Sequence, residues 1–257
     1  MNQHRGTMTI ETVLPPNDHP ELRYPDLLRG MNARRVQEWL SLAGYPVQID
    51  GEFGPESTRQ LATYQASKGL TATGTLDRLT WASLTAGLAG ALAPASRETD
   101  LGSTMVAVAS RWVGLRELPG NRGPLVRVLC NGQEGPAWAW CAGFVRQVTR
   151  QACAAWGREV PPWLSLRVTE IAMRARGVDA FIAEREAKGM VRAGDIFLVR
   201  KAGRWSHTGL VVDTEPGGIR TIEGNTDGGG SREGDRVRAR VRPWGGLDFA
   251  RVGAGLF

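Results

Sequence analysis

Hydrophobic periodicity changes once along this chain, near Gly189, and the change divides what can form on either side. Before it, apolar residues recur at three- and four-residue intervals. Phe144, Val145, Val148, Ala152 and Ala155 form such a run, which places them on one face of a helix beginning near Trp140. After it, AGDIFLVR, SHTGLVVD, GIRTIEGNT and RVRARVR are short, rich in β-branched residues and separated by turn formers, as an antiparallel sheet requires. Helices first and strands afterwards predict an α+β domain.

At 257 residues there is room for a second, smaller domain ahead of it. Residues 1–24 are polar and broken by Pro15, Pro16 and Pro20, which predicts a tail. From about residue 25 to 86 the pattern is helical: a short helix ending at Gly44, a tight loop YPVQIDGEFGPES, and a second helix from Thr58 to Lys68. Asp50, Gly51 and Gly54 mark a turn needing positive φ, and Pro55 followed by Glu56 opens a helix. GLTATGTLDRLTWASL then repeats the order of GYPVQIDGEFGPESTRQL, so two echoing halves predict a three-helix unit. Residues 87–100, GLAGALAPASRETD, read as a partly helical linker, and 101–257 as the α+β domain.

Cys141 sits where a loop rich in Gly, Pro and Trp turns into the helical run. A helix start favours an anion and supplies unpaired N–H groups for an oxyanion, which suits a nucleophilic thiolate. The alternative is a buried small hydrophobe, the commoner fate of a free cysteine. Of three histidines, His4 and His19 fall in the tail and only His207 opens a strand. TIEGNT places Glu223 and Asn225 two apart, on one face of the next strand, and either could hold the imidazole in its working tautomer. Three cysteines, at 130, 141 and 153, are too few for a disulfide framework. One histidine and three scattered cysteines outside the tail also lack the spacing of a metal site, so neither metal nor cofactor is expected.

Residues 27–85, through NARRVQEWLSLAGYPVQIDGEFGPES and the following GL, TG and W, resemble the type 1 peptidoglycan-binding domain. That resemblance implies wall binding. Phe53 and Trp81 are read as core, leaving Tyr45 as the aromatic candidate for ligand contact. WCAGFV, SHTGLVV and IEGN, in that order, resemble the CHAP family of cysteine- and histidine-dependent amidohydrolases and peptidases, and RELPGNRG is similar to the lead-in of its phage-associated members. The resemblance implies a papain-like helix-and-antiparallel-sheet fold with Cys141 as nucleophile, His207 as general base and Glu223 with Asn225 as orienting groups. Trp140, Glu117 and Asn121 are candidates to line the substrate groove, a turn-stabilising role being the alternative for the last two. Together the resemblances imply an endolysin-like hydrolase, cutting either the N-acetylmuramoyl-L-alanine amide or a bond within the peptide. A non-catalytic wall-binding protein and a zinc amidase are the rival readings.

A net charge of +6 suits an anionic partner, with nucleic acid, lipid and acidic polymer all compatible. No block of consecutive basic residues marks a nucleic-acid arm. RVRARVR at 236–242 reads instead as a strand with one solvated face. No apolar run is long enough to span a bilayer, and the first residues lack the apolar core of a secretion signal. The resemblances imply peptidoglycan as the partner, without nucleic acid or stable membrane insertion, met by a monomer made in the cytoplasm and released to the wall by lysis.

Overall fold

A computed structural model describes residues 30–227 and 234–253. The predicted tail and most of the Gly-rich stretch after Asn225 lie outside them. In chain order the elements are α1 (Met31–Leu42), α2 (Pro55–Ser67), α3 (Arg78–Leu92), α4 (Leu101–Ser110), α5 (Pro124–Leu129), α6 (Cys141–Ala155), α7 (Val168–Arg176), β1 (Phe181–Ile182), α8 (Glu184–Ala187), β2 (Ile196–Lys201), β3 (Arg204–Glu215), β4 (Gly218–Thr226), β5 (Arg236–Pro243) and β6 (Leu247–Ala250). The chain is α+β. Two compact units divide it, one of residues up to Gly90 with Glu117–Glu134, the other of Ala91–Arg116 with Gly135 onward.

In the first unit the internal echo has a physical basis in two buried glutamines. Gln37 on α1 accepts from the Gly51 amide at 2.9 Å and donates to the Glu52 carbonyl at 3.1 Å. Gln65 on α2 does the same one repeat later, accepting from Gly74 at 2.9 Å and donating to the Thr75 carbonyl at 2.9 Å. Each glutamine thus stands in for a strand partner and staples a loop to a helix. Each loop glycine turns with positive φ, 81° at Gly51 and 66° at Gly74. The helices bury Val36, Leu40, Phe53, Leu61 and Tyr64 between them, with Phe53 wholly enclosed. Trp81, also expected in the core, is half-buried. α3 continues to Leu92, so the first part of the stretch expected as a linker is helical.

The second unit carries a six-stranded antiparallel sheet in the order β1-β6-β2-β3-β4-β5. α6 packs against β3 and β4, and α4 against α6. Close approach of helix and strand depends on Gly224, where an added Cβ would lie 2.7 Å from the Trp140 ring and 2.8 Å from Phe144 Cβ. The Asp100 side chain, accepting from the Ser103 amide at 2.7 Å, caps α4. Phe197, Val211, Ile219, Leu247 and Phe249 form a core on the sheet, closed by Ile182, Ala187 and Val191.

β5 departs from expectation. Instead of a solvated face, Arg236, Arg238, Arg240 and Arg242 are all half-buried, while on the other face Val237 is buried and Ala239 and Val241 are exposed. In register Arg240 lies opposite Thr221 and Arg238 opposite Glu223, so the arginine row shares a face with a buried carboxylate. Charge complementarity overrides the polarity of the alternation.

Replacing Gln65 with Leu should destabilise the chain by about 1–3 kcal/mol in urea denaturation, because the Gly74 amide and the Thr75 carbonyl both lose their partner inside the fold. A loss no larger than that of an exposed substitution would remove the staple from the account.

Candidate active site

α6 starts at Cys141, and its N-cap residue is Trp140, whose side chain makes no capping hydrogen bond. An indole carries a donor and no acceptor, so it cannot serve the first-turn amides. The Cys141 thiol stands beside those amides and is 3% exposed. His207, also 3% exposed, comes from β3, opposite Val199 of β2. Its Nε2 lies 2.9 Å from Glu223 Oε2. Nδ1, on the ring's other side, is buried without a hydrogen-bond partner among the described residues, and the Cys141 thiol is near enough to raise the ring's pKa together with Glu223. With Nε2–H given to the carboxylate, Nδ1 is the nitrogen left for sulfur.

Glu223 is fully buried, and four donors surround its carboxylate. Oε1 accepts from the Thr221 hydroxyl at 2.6 Å and from Arg242 Nε at 2.6 Å. Oε2 accepts from His207 and, at 2.5 Å, from Arg242 Nη2. Burial alone would raise the Glu223 pKa, but the His207 and Arg242 hydrogen bonds and charges bring it down to about 2. Burial would likewise lower the His207 pKa, but the nearby Cys141 and the hydrogen-bonded, charged Glu223 lift it to about 9. The imidazole therefore holds its proton at neutral pH between two acidic partners. Such a site can deliver a proton to a leaving group and stabilise a neighbouring thiolate.

Cys141, His207 and Glu223 converge. Asn225 departs from the regular strand: its φ is +55°, the β4–β5 register shifts between Glu223 and Thr226, and its carbonyl accepts from Gly234 at 3.3 Å. Trp140, expected at the groove, is wholly buried, its ring lying where Gly224 makes room for it. Glu117 and Asn121 belong to the first unit, where Glu117 Oε1 accepts from the Asn121 amide at 3.2 Å; this is the turn-stabilising arrangement. Tyr45 is half-buried in that unit, with its hydroxyl 2.6 Å from Ser67 Oγ and its ring edge-on to Tyr64 at 5.4 Å. The other thiols, Cys130 and Cys153, are buried and form no disulfide among the described residues, and burial pushes the Cys153 thiol up.

Two residues of the site were not singled out from sequence. Thr221 was hidden in an ordinary β-branched alternation. Arg242 stood in a regular arginine row, whose only signal was its position one strand away from TIEGNT.

Residues 29–84 match the family model of the peptidoglycan-binding domain. A search of curated proteins found no match. Among solved structures, the NlpC/p60 domain of the peptidoglycan hydrolase SagA aligns over 59% of this chain and 97% of that chain, with 20% identity and a TM-score of 0.34.

The ion pair dictates how stability varies with pH. A raised His207 pKa means that its contribution is complete below about pH 6.5 and is lost as pH rises through about 9; the lowered Glu223 pKa makes its own contribution complete above about 4.5 and lost as pH falls towards 2. Urea denaturation between pH 6.5 and 9.5 should show a decline in the wild type that is smaller in Glu223→Gln. Parallel curves for the two would mean that the pair does not stabilise the fold.

Proposed function

We propose that this chain is a peptidoglycan hydrolase that cleaves an amide bond with Cys141 as nucleophile, delivered to the wall by its N-terminal domain. The observation that carries the reading is the buried His207–Glu223 pair, with Cys141 close enough at the start of α6 to act on the same imidazole, in a protein whose residues 29–84 match a peptidoglycan-binding family. Helix start, imidazole and carboxylate are what an acyl-transfer site requires, in the order nucleophile, base, orienter.

The reaction follows from those positions. With the Cys141 proton already resting on His207 Nδ1, the thiolate adds to the scissile carbonyl. Backbone N–H groups at the start of α6 hold the oxyanion. Collapse to the thioester breaks the C–N bond, and the His207 proton goes to the departing amine. Water, giving its proton to His207, then adds to the thioester and releases the carboxylic acid and the thiol. Glu223 keeps Nε2 protonated throughout, so that Nδ1 is the nitrogen that works. Wall binding by the first unit raises the local concentration of a polymeric substrate without adding contacts at the thiol.

The reading competes with a wall-binding protein that performs no chemistry. That rival predicts binding to purified peptidoglycan without release of fragments. A zinc amidase would need three or four converging ligands, and among the described residues no three of His, Cys, Asp and Glu come together in that way.

Cys141→Ala should abolish release of fragments from purified peptidoglycan, whereas Cys130→Ala and Cys153→Ala should leave it, measured by turbidity loss and mass spectrometry. Retained hydrolysis in Cys141→Ala would end the thiol mechanism. The same spectra identify the bond, since a freed alanine amine with a freed muramoyl acid differs in mass and sequence from ends made within the peptide. Glu223→Gln should reduce turnover by roughly 10²- to 10⁴-fold, the scale of impaired acid–base catalysis. Asn225→Ala should cost less, and the reverse ranking would move the orienting role to Asn225.

A further inference from the structure

Glu223 is an ionised carboxylate with no exposure, and a single imidazole is a weak reason for one to be there. The residue directly across the β4–β5 ladder is Arg238, yet it does not bind Glu223. The bond comes from Arg242, four residues further along β5 and opposite Ile219. Arg242 therefore reaches along the sheet, with its guanidinium carbon 5.2 Å from the Phe197 ring centroid. The ring of His207 lies 6.1 Å from that same centroid, so one aromatic side chain borders both partners of the carboxylate. The fork then meets the carboxylate edge-on, one nitrogen to each oxygen.

Counting donors shows what this adds. A carboxylate offers about four acceptor sites. Thr221 and His207 fill one on each oxygen, and Arg242 fills the remaining two. With both oxygens occupied, the carboxylate cannot turn about its Cγ–Cδ bond without breaking bonds to three side chains. We propose that Arg242 is a positioning residue of the hydrolytic site: its fork holds the Glu223 carboxylate ionised and turned towards His207 Nε2, so that the orienting group is the Glu223–Arg242 pair. This rests on the reading of Cys141 as nucleophile.

The titratable and charged groups facing Glu223 are His207 from β3, Arg242 and Arg238 from β5 and, beyond the imidazole, the Cys141 thiol from α6. Removing Arg242 takes away the one permanent cation bonded to the carboxylate and leaves burial to favour its protonated form. A protonated Glu223 no longer holds a charged imidazole, so the site fails at a higher pH than in the wild type. A lysine at 242 keeps charge but lacks the planar fork and the flat face that lies against Phe197.

The test uses the full chain and two readouts, turnover on peptidoglycan and the pH dependence of Cys141 alkylation by iodoacetamide, located by peptide mass spectrometry. Alkylation needs no substrate. Arg242→Met should lose roughly 10- to 100-fold in turnover, the scale for removing a group that orients a functional one, and the low-pH edge of its alkylation profile should move upward. In a Glu223→Gln background Arg242→Met should cost nothing further, because it acts only through that carboxylate. Arg242→Lys should recover part of the turnover, and it replaces Arg242→Met in the cycle if the latter does not fold. Losses that multiply in the double variant, an unmoved alkylation edge, or full turnover with lysine would each overturn the proposal. If instead wild-type Cys141 is alkylated no faster than Cys130 and Cys153, and His207→Ala changes nothing, it is the nucleophile assignment that fails.

Discussion

A carboxylate that is entirely buried must be neutralised and fully hydrogen-bonded, or it will not stay ionised. In this protein that requirement falls on Glu223, and much of the second unit is arranged to meet it. β3 brings the imidazole, β4 brings the carboxylate and the Thr221 hydroxyl, and β5 brings the guanidinium. The half-burial of Arg242 on β5, with Val241 beside it turned out, follows from the same need. Exposed small apolar residues cost little, whereas an unpaired buried carboxylate would cost several kcal/mol.

The helix side of the site obeys a different constraint, that of space. Cys141 reaches His207 only if α6 lies close on β3 and β4, and the strand residue beneath the helix must then have no side chain. Gly224 provides that clearance for Trp140 and Phe144. Position 224 thus separates two residues with different tasks. Glu223 bonds the imidazole, while Asn225 has positive φ where the ladder to β5 shifts.

The first unit solves its own burial problem with neutral groups. It is small, so it has few apolar side chains to enclose its loops. Gln37 and Gln65 supply one acceptor and one donor each, which satisfies a glycine amide and the carbonyl beyond it in both repeats. An amide suits this role because it offers both polarities in one plane and carries no charge to desolvate.

Local pattern was enough to read the class of the fold, a helix beginning near Trp140, a strand carrying His207 and the repeat within the first unit, although that strand starts at Arg204 and not at His207. Each depends on periodicity, on a capping or turn residue, or on a motif spanning a few positions, and such signals survive without knowledge of what packs where. What only the tertiary structure decided is which side chains meet. Glu223 and Asn225 were equivalent on an ideal strand, and a bulge with one positive φ separated them. Arg242 looked like any member of its row, because long-range pairing through a twisted sheet leaves no local signature. Trp140 was adjacent to the thiol in sequence yet enclosed in space, since consecutive residues at a helix start point in different directions. Sequence order therefore determined the elements and the kinds of group they carry, and sheet register, twist and the neutralisation of one buried charge decided which of those groups face one another.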